Sequence, residues 1–429
     1  MRIAVIGSGI AGLASAWLLS RRHEVILFEA NDYLGGHTHT HGIELDGRRY
    51  AVDTGFIVHN PVHYPLLTRL FDELGVASQP TTMSFAVHSE ASGLEYNATS
   101  LNALFCQRRN LLSPRFIGMV RDLFRFYREA PALLDGPRRG PSLGEWLMER
   151  RYGAAFRDEH LVPMASALWS SPPEQILAFP ARYLVQFMAN HQMLQVAGRP
   201  EWRVVRGGSA SYVRAMRSHW KVRERPGNPV RTVRRGMMGV DVATDAGSER
   251  FDQVVLACHS DQALALLADA SDRERAILGA IPYQANDVVL HTDATLLPRR
   301  RKAWAAWNAF IPREPGAPCT VSYCMNLLQS LDAPQPFVVT LNRSEAIDPA
   351  KVLRRMRYHH PVYTHVSVAA QRRKAEIQGI NRTWFAGAYW GWGFHEDGMR
   401  SAVEVASAFD VRWHAARTAG SPCESGAAA

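Results

Sequence analysis

An α/β fold built on a parallel sheet is what this sequence predicts, and three observations within its first thirty residues carry the prediction. Arg2 to Ile6 is a short apolar run with β-branched residues, the pattern of a strand covered on both faces. Gly7-Ser8-Gly9-Ile10-Ala11-Gly12 then spells G-x-G-x-x-G and leads into Ala- and Leu-rich residues that read as a helix to Ser20. His23 to Phe28 is a second strand, ending on Glu29 and Ala30. This is the order of a Rossmann-like dinucleotide-binding unit. Gly7 allows the tight turn, Gly9 lets backbone N–H groups approach a pyrophosphate, and Gly12 lets the helix close on the strand. Glu29, 22 residues after Gly7, is placed to accept hydrogen bonds from a ribose hydroxyl. The expected cradle is Gly7, Ser8, Gly9, Ala11, Gly12, Glu29 and Ala30.

The chain has 429 residues, enough for two or three domains with substantial cores. At 47% hydrophobic and 21% charged it is a globular rather than a disordered sequence. Its net charge of +9 favours anionic surfaces. No zinc-finger spacing or RNA-binding signature supports nucleic acid, so phospholipid is the favoured surface. The five cysteines are odd in number and form no C-x-x-C pair, which suits a reducing compartment. The first strand begins at residue 2, leaving no room for a signal peptide, and no apolar run reaches ~18 residues. The expectation is a cytoplasmic protein, with peripheral contact to the inner membrane left open.

After the dinucleotide unit comes a second glycine pair, Gly35-Gly36, followed by His37, and then Asp53-Thr54-Gly55 closing a hairpin on Asp46-Gly47. This order, with Gly35, Gly36, His37, Thr54 and Gly55 as added cofactor contacts, resembles the FAD-dependent amine oxidase superfamily. The resemblance implies FAD as cofactor and a glutathione-reductase-like FAD domain, here residues 1–75, 201–262 and 375–415. It also implies a discontinuous α+β substrate domain with a helical subdomain, residues 76–200 and 263–374. Residues 416–429 read as a flexible tail. His37, His39 and His41 alternate, which on a strand puts them on one face. They could form a metal site or a wall beside the flavin; without a clear acidic partner the second reading is preferred and no metal is expected.

Further along, Ser113-Pro114 is an N-cap and first-turn pair. The helix after it places Phe116, Met119, Val120, Leu123 and Tyr127 on one side and Arg121, Arg125 and Arg128 on an adjacent face. Preceded by Leu111-Leu112, it reads either as an interfacial helix or as a surface helix with a solvated basic side. By the resemblance, Gly207-Gly208 opens a helix beside the FAD domain and the backbone of Val233 holds the adenine. Asp287 to His291 and Phe337 to Leu341 read as strands of the second domain.

The C-terminal signature, Phe385-Ala386-Gly387-Ala388-Tyr389-Trp390-Gly391-Trp392-Gly393-Phe394-His395-Glu396-Asp397-Gly398-Met399, resembles the superfamily's closing motif. There a helix beginning near Asp397 points its N-terminus at the flavin ring, with Gly387, Phe394, Asp397, Gly398 and Met399 in contact. Two departures weigh against amine oxidation: no lysine stands in Asp287 to Thr292, and Met399 replaces the aromatic-cage tyrosine. The stretches GGHTHTH, DTGFIVHN, LWSSPPEQILAFP, VSYCMNLLQ, HHPVY and FAGAYWGWGFHEDG resemble a narrower bacterial group of predicted NAD/FAD-binding proteins. That group accompanies cyclopropane-fatty-acid-synthase-like methyltransferases. It implies an oxidoreductase of fatty acyl or phospholipid chains, with a lipid methyltransferase as partner. His395, Glu396 and His291 are the candidates for the base or for polar orientation, with His59 a further one. Protoporphyrinogen-oxidase-like, carotenoid-desaturase-like and amine oxidase activities are the alternatives, as is a flavin-bearing partner without turnover.

Overall fold

The computed structural model describes residues 1–314 and 317–413, so the expected tail at 416–429 lies outside the described residues. The chain begins with β1 (Arg2–Ile6), α1 (Ile10–Leu19) and β2 (Glu24–Phe28). A hairpin, β3 (Thr40–Leu45) and β4 (Arg48–Asp53), leads to α2 (Pro65–Leu74). Then come β5 (Phe85–Ser89), β6 (Glu95–Asn97), α3 (Leu101–Leu104) and α4 (Pro114–Glu129). Ser113 caps α4, its hydroxyl accepting from Phe116 N at 3.3 Å. Within the helical segment that follows lie α5 (Val162–Trp169) and α6 (Ala181–Asn190). The chain returns through β7 (Val222–Arg225), an antiparallel meander over residues 230–251 and β8 (Gln253–Leu256). It continues as β9 (Tyr283–His291), β10 (Trp307–Ile311), β11 (Thr320–Cys324), β12 (Val338–Leu341) and β13 (Val352–Pro361). β14 (Thr383–Phe385) and α7 (His395–Ala408) close it.

Two sheets organise these elements. The first is five-stranded, in order β7-β2-β1-β8-β14, and every pairing is parallel. Ile3, Ala4 and Val5 are fully buried because α1 and α7 cover one face and the meander covers the other. That two-sided cover explains why β1 is an unbroken apolar run. α1 is buried along all ten residues, which explains why it lacks a polar face. The second sheet is seven-stranded, in order β13-β9-β12-β11-β10-β5-β6, with β10 and β5 its parallel pair. Segments 85–97 and 283–361 build it together, and the helical layer packs on it.

Candidate active site

The N-terminus of α1 faces the first glycine turn without a side-chain cap, and its first turn holds no acid. A buried helix end left so leaves N–H groups without partners, and the local positive potential favours an anion. Gly9 caps the helix, and a Cβ built there would meet nothing within 4 Å. Gly12 is the opposite case: a Cβ there would sit 1.8 Å from the Gly7 carbonyl oxygen. Helix and turn therefore touch at Gly12 while space remains in front of Gly9. Gly7 N donates to Phe28 O at 2.8 Å, tying the turn to β2. Gly36, at φ +56°, crosses this turn so closely that a Cβ would lie 2.9 Å from Gly9 Cα.

Glu29 is buried at the end of β2. Its Oε2 accepts from Ser8 N at 2.9 Å and Ser8 Oγ at 2.6 Å, and its Oε1 from Asn31 N and Nδ2, both at 2.9 Å. Gly35 N in turn donates to Ser8 Oγ at 3.1 Å. Ala30 is exposed beside it. Val233 lies elsewhere than expected: it is enclosed in the meander, paired with Val242, and its carbonyl accepts from Ala268 N. Half-buried Val230, three residues earlier, follows the Gly227-Asn228 turn whose amides donate to Asn31 O and Glu29 O.

Beyond this cradle opens a cavity of about 940 Å³, walled at its near end by His37, Thr54, Gly55, Phe56, Gly393, Phe394 and His395. His395 stacks on Phe56 with ring centres 3.7 Å apart. Its Nε2 is 3.0 Å from Thr38 Oγ1 and 3.4 Å from Tyr212 Oη. Burial pushes its imidazole well below the ordinary range. His37 and His360, 5.3 Å apart, are pushed down to about 3 by burial and by neighbouring imidazoles. The histidine alternation gathers around Tyr358. His37 lies 4.9 Å from its ring, and its Oη meets His39 Nδ1 at 3.1 Å and Thr54 Oγ1 at 2.8 Å, while His41 Nε2 reaches Thr54 Oγ1 at 3.2 Å.

The closing motif folds around Asp397, whose Oδ2 accepts from Trp392 N at 2.9 Å and Phe394 N at 3.1 Å. Burial raises the Asp397 carboxyl, with Arg400 opposing the rise. Gly387 N donates to Ser401 Oγ at 2.8 Å. Gly398 packs directly on α1, where a Cβ would lie 2.7 Å from Ile10 Cγ2 and 3.7 Å from Ala11 Cβ. α7 starts at His395, two residues before the expected start, which turns Met399 inward into the α1 core rather than toward the cavity. Met399 therefore stands outside any cage position, and the lack of a tyrosine there does not weigh against an amine substrate.

The three proposed catalytic side chains are dispersed. His395 alone lines the cavity. Glu396 points the other way and caps α2, accepting from Leu66 N at 3.0 Å and Leu67 N at 3.1 Å; desolvation raises it to about 7. His291 is fully buried on β9, bonded to Thr340 Oγ1 at 2.8 Å and to Asp293 N at 3.1 Å. His59 packs on Phe71 beneath α2. Tyr358, His360, Phe56 and Tyr212 are site residues to which the sequence reading gave no role. The His359-His360 doublet beside Tyr358 was the available signal.

The family model for flavin-containing amine oxidoreductases matches residues 10–309, most of the chain, beginning at the first residue of α1. The chain belongs to the flavin-containing amine oxidoreductase family. It is 28% identical over 268 residues to a protein named as a flavin-containing monoamine oxidase, AofH, of Mycobacterium tuberculosis. The match covers 59% of this chain and 56% of that one, so the chain spans about half the length of the curated relatives it matches. Among solved structures, cyclohexylamine oxidase of Brevibacterium oxydans superposes with TM-score 0.67 at 16% identity, covering 95% of this chain and 98% of that one. A CLA-producing fatty acid isomerase of P. acnes superposes with TM-score 0.63 at 16% identity, covering 95% and 98%. These likenesses show the fold.

FAD is the cofactor of this family member, and the residues present fit it. The uncapped N-terminus of α1 and the open space at Gly9 suit a pyrophosphate, while the Glu29 carboxylate, expected to meet a ribose, is taken up by Ser8 and Asn31 and braces the turn beside that space. The near wall of the cavity, from Thr54 to Phe56 and from Gly393 to His395, would hold the ring system.

Proposed function

We propose that this protein is an FAD-dependent oxidoreductase that removes hydride from a carbon of a long apolar chain, a fatty acyl chain of phospholipid being the substrate class. The cavity floor is the observation that supports this reading. All seven strands of the second sheet contribute to it: Tyr358 and His360 from β13, Val288 from β9, Leu341 from β12, Tyr323 from β11, Trp307 from β10, Phe85 from β5 and Tyr96 from β6. Six interstrand steps of about 4.8 Å give a floor of roughly 25–29 Å after allowance for twist. One bilayer leaflet contributes about 15 Å of hydrocarbon, so an extended acyl chain fits along the floor.

Charge supports the same reading. Arg199 and Glu201 are the charged residues among those lining the cavity, and Glu201 is exposed. An ammonium group beside the ring would meet neutral imidazoles rather than a carboxylate. The likeness to a fatty acid isomerase agrees with an acyl substrate, while the amine oxidases of the same fold keep amines as the competing class. The lipid methyltransferase partnership implied by the resemblance belongs to the same proposal.

Bound FAD supplies the hydride acceptor. The chain's own residues hold the apolar chain along the floor and exclude water with the aromatic wall of Phe56, Trp392 and Phe394. His395, a neutral imidazole fixed by Thr38 and by stacking on Phe56, is the base we propose for any accompanying proton.

The test is anaerobic absorbance of the FAD-loaded protein, titrated with detergent-dispersed phospholipid, with amines and with a carotenoid. Bleaching by phospholipid, with a chemically altered acyl chain recovered, is expected. Bleaching by amines alone would refute the proposal, and bleaching by the carotenoid alone would move it to a polyene.

A further inference from the structure

Helix α4 carries more apolar surface than its place in the fold uses. Phe116, Met119 and Phe126 are buried in the helical layer, and Val120, Leu123 and Tyr127 face the cavity. A third stripe remains on the outside: Ile117, Arg121, Phe124 and Arg128, at i, i+4, i+7 and i+11. Ile117 is 51% exposed and Phe124 55%. Leu112, just before the helix, is 88% exposed, and Leu101 on α3 is 76% exposed. Large apolar side chains exposed together along one short segment mark a contact with another phase or molecule.

This patch is also the lip of the cavity. Leu101, Phe124 and Val196 are exposed and line it at the same time. Residues 101–129 hold six arginines against Asp122 and Glu129, a net +4 out of the chain's +9. Both acids are engaged within the fold: buried Asp122 accepts from Gly153 N at 2.8 Å, and Glu129 from Arg125 Nε at 3.1 Å. Arg125 itself folds over the Tyr152 ring, off the exposed stripe where the sequence reading had grouped it with Arg121 and Arg128. The outward charge from Arg108, Arg109, Arg121 and Arg128 is therefore positive.

We propose that this lip docks on an anionic phospholipid bilayer. Leu112, Ile117 and Phe124 enter the acyl layer, the arginines meet lipid phosphates, and the cavity opens into the hydrocarbon. The net positive charge, with both acids of the segment tied inward, calls for an anionic partner, and the exposed Leu, Ile and Phe call for an apolar phase beside it; an anionic bilayer offers both, with the long arginine stems reaching the headgroups. Delivery of a chain into the cavity rests on the proposed function; the docking itself does not.

The experiment is co-sedimentation of the FAD-loaded chain with vesicles of phosphatidylcholine alone and of phosphatidylcholine mixed with phosphatidylglycerol. The wild type should sediment with the mixed vesicles and be released by salt. Leu112→Glu with Ile117→Glu, both outside the cavity lining, should weaken binding at least tenfold while FAD content and melting temperature stay at wild-type values. Arg121→Gln and Arg128→Gln should each reduce the anionic preference about fivefold. Equal sedimentation of wild type and variants would overturn the proposal. So would a vesicle-independent dimer abolished by the double glutamate variant, which would assign the patch to a second copy. Docking without flavin bleaching would keep this inference and remove the acyl substrate; bleaching by detergent-dispersed lipid without docking would do the reverse.

Discussion

Glu396→Gln separates a structural from a chemical role for the residue that follows His395. The carboxylate ordinarily titrates at 4.5 and is raised in the fold to about 7, chiefly by desolvation. Between those values the folded state binds more protons than the unfolded one, so this group's contribution is full below 4.5 and lost as pH rises through 7. The gap corresponds to about 3 kcal/mol. Glutamine does not titrate, so the variant keeps its low-pH level while the wild type loses ground. The stability difference, variant minus wild type, should move in the variant's favour by about 3 kcal/mol between pH 4.5 and 8. Thermal melts of FAD-loaded protein across that range read it as a melting-temperature difference that grows by several degrees. The rate of flavin reduction should stay within a few-fold of wild type, because the carboxylate faces Leu66 and Leu67 rather than the cavity. Parallel melting curves at all pH values would refute the burial argument. A hundredfold slower reduction would return Glu396 to the chemistry.

Four further outcomes are expected. Gly12→Ala drives a Cβ against the Gly7 carbonyl; at or above about 1–3 kcal/mol of overpacking, FAD content should fall well below one per chain, which absorbance of the purified protein measures. His395→Gln should slow flavin reduction about 10²–10⁴-fold in stopped-flow measurements while FAD stays bound. Leu341→Trp, midway along the floor, should abolish reduction by long acyl chains but spare short ones, with FAD content unchanged. Acid should destabilise the fold: burial lowers His37 and His360 to about 3 and His160, His259 and His291 to about 4. Their stabilisation is present above 6.5 and lost as pH falls toward those values, up to about 2 kcal/mol each at pH 5, so melting temperature should drop steeply between pH 6.5 and 5.

The dinucleotide-binding turn was legible because its signals are local. The turn from Gly7 to Gly12 and the acid at Glu29 lie within one strand–helix–strand unit, and contacts at such short range leave their mark on adjacent residues. The second glycine pair was legible for a related reason, since Gly36 must pass the Gly9 backbone itself. Val233 shows where this reasoning thins. Two valines, Val230 and Val233, lie three residues apart on one meander strand, and only the register with Val242 and the closure by Ala268 places Val233 in the core. Met399 depended in the same way on where α7 begins, because two residues of helix turn a side chain by more than half a revolution.

The cavity floor was not legible, and the reason lies in strand order. β5 and β6, near residue 90, join the sheet only through the parallel pairing of β5 with β10, more than 200 residues later. β9 to β13 are arranged 13-9-12-11-10, so residues facing one another along the floor, such as Val288, Leu341 and Tyr323, have no periodic relation in sequence. Each alone reads as an ordinary core residue, and each is one until the helical layer stands off the sheet and leaves a trough between them. What does appear in the sequence is the consequence at the trough's edge. A helix that packs on a core with one face, lines a cavity with a second and opens that cavity at a third must be apolar around most of its circumference; in α4 the polar residues that interrupt it are arginines and the inward-tied Asp122 and Glu129. α4 has that composition, and its excess of apolar residues is the mark in sequence of a cavity whose walls are otherwise scattered along the chain.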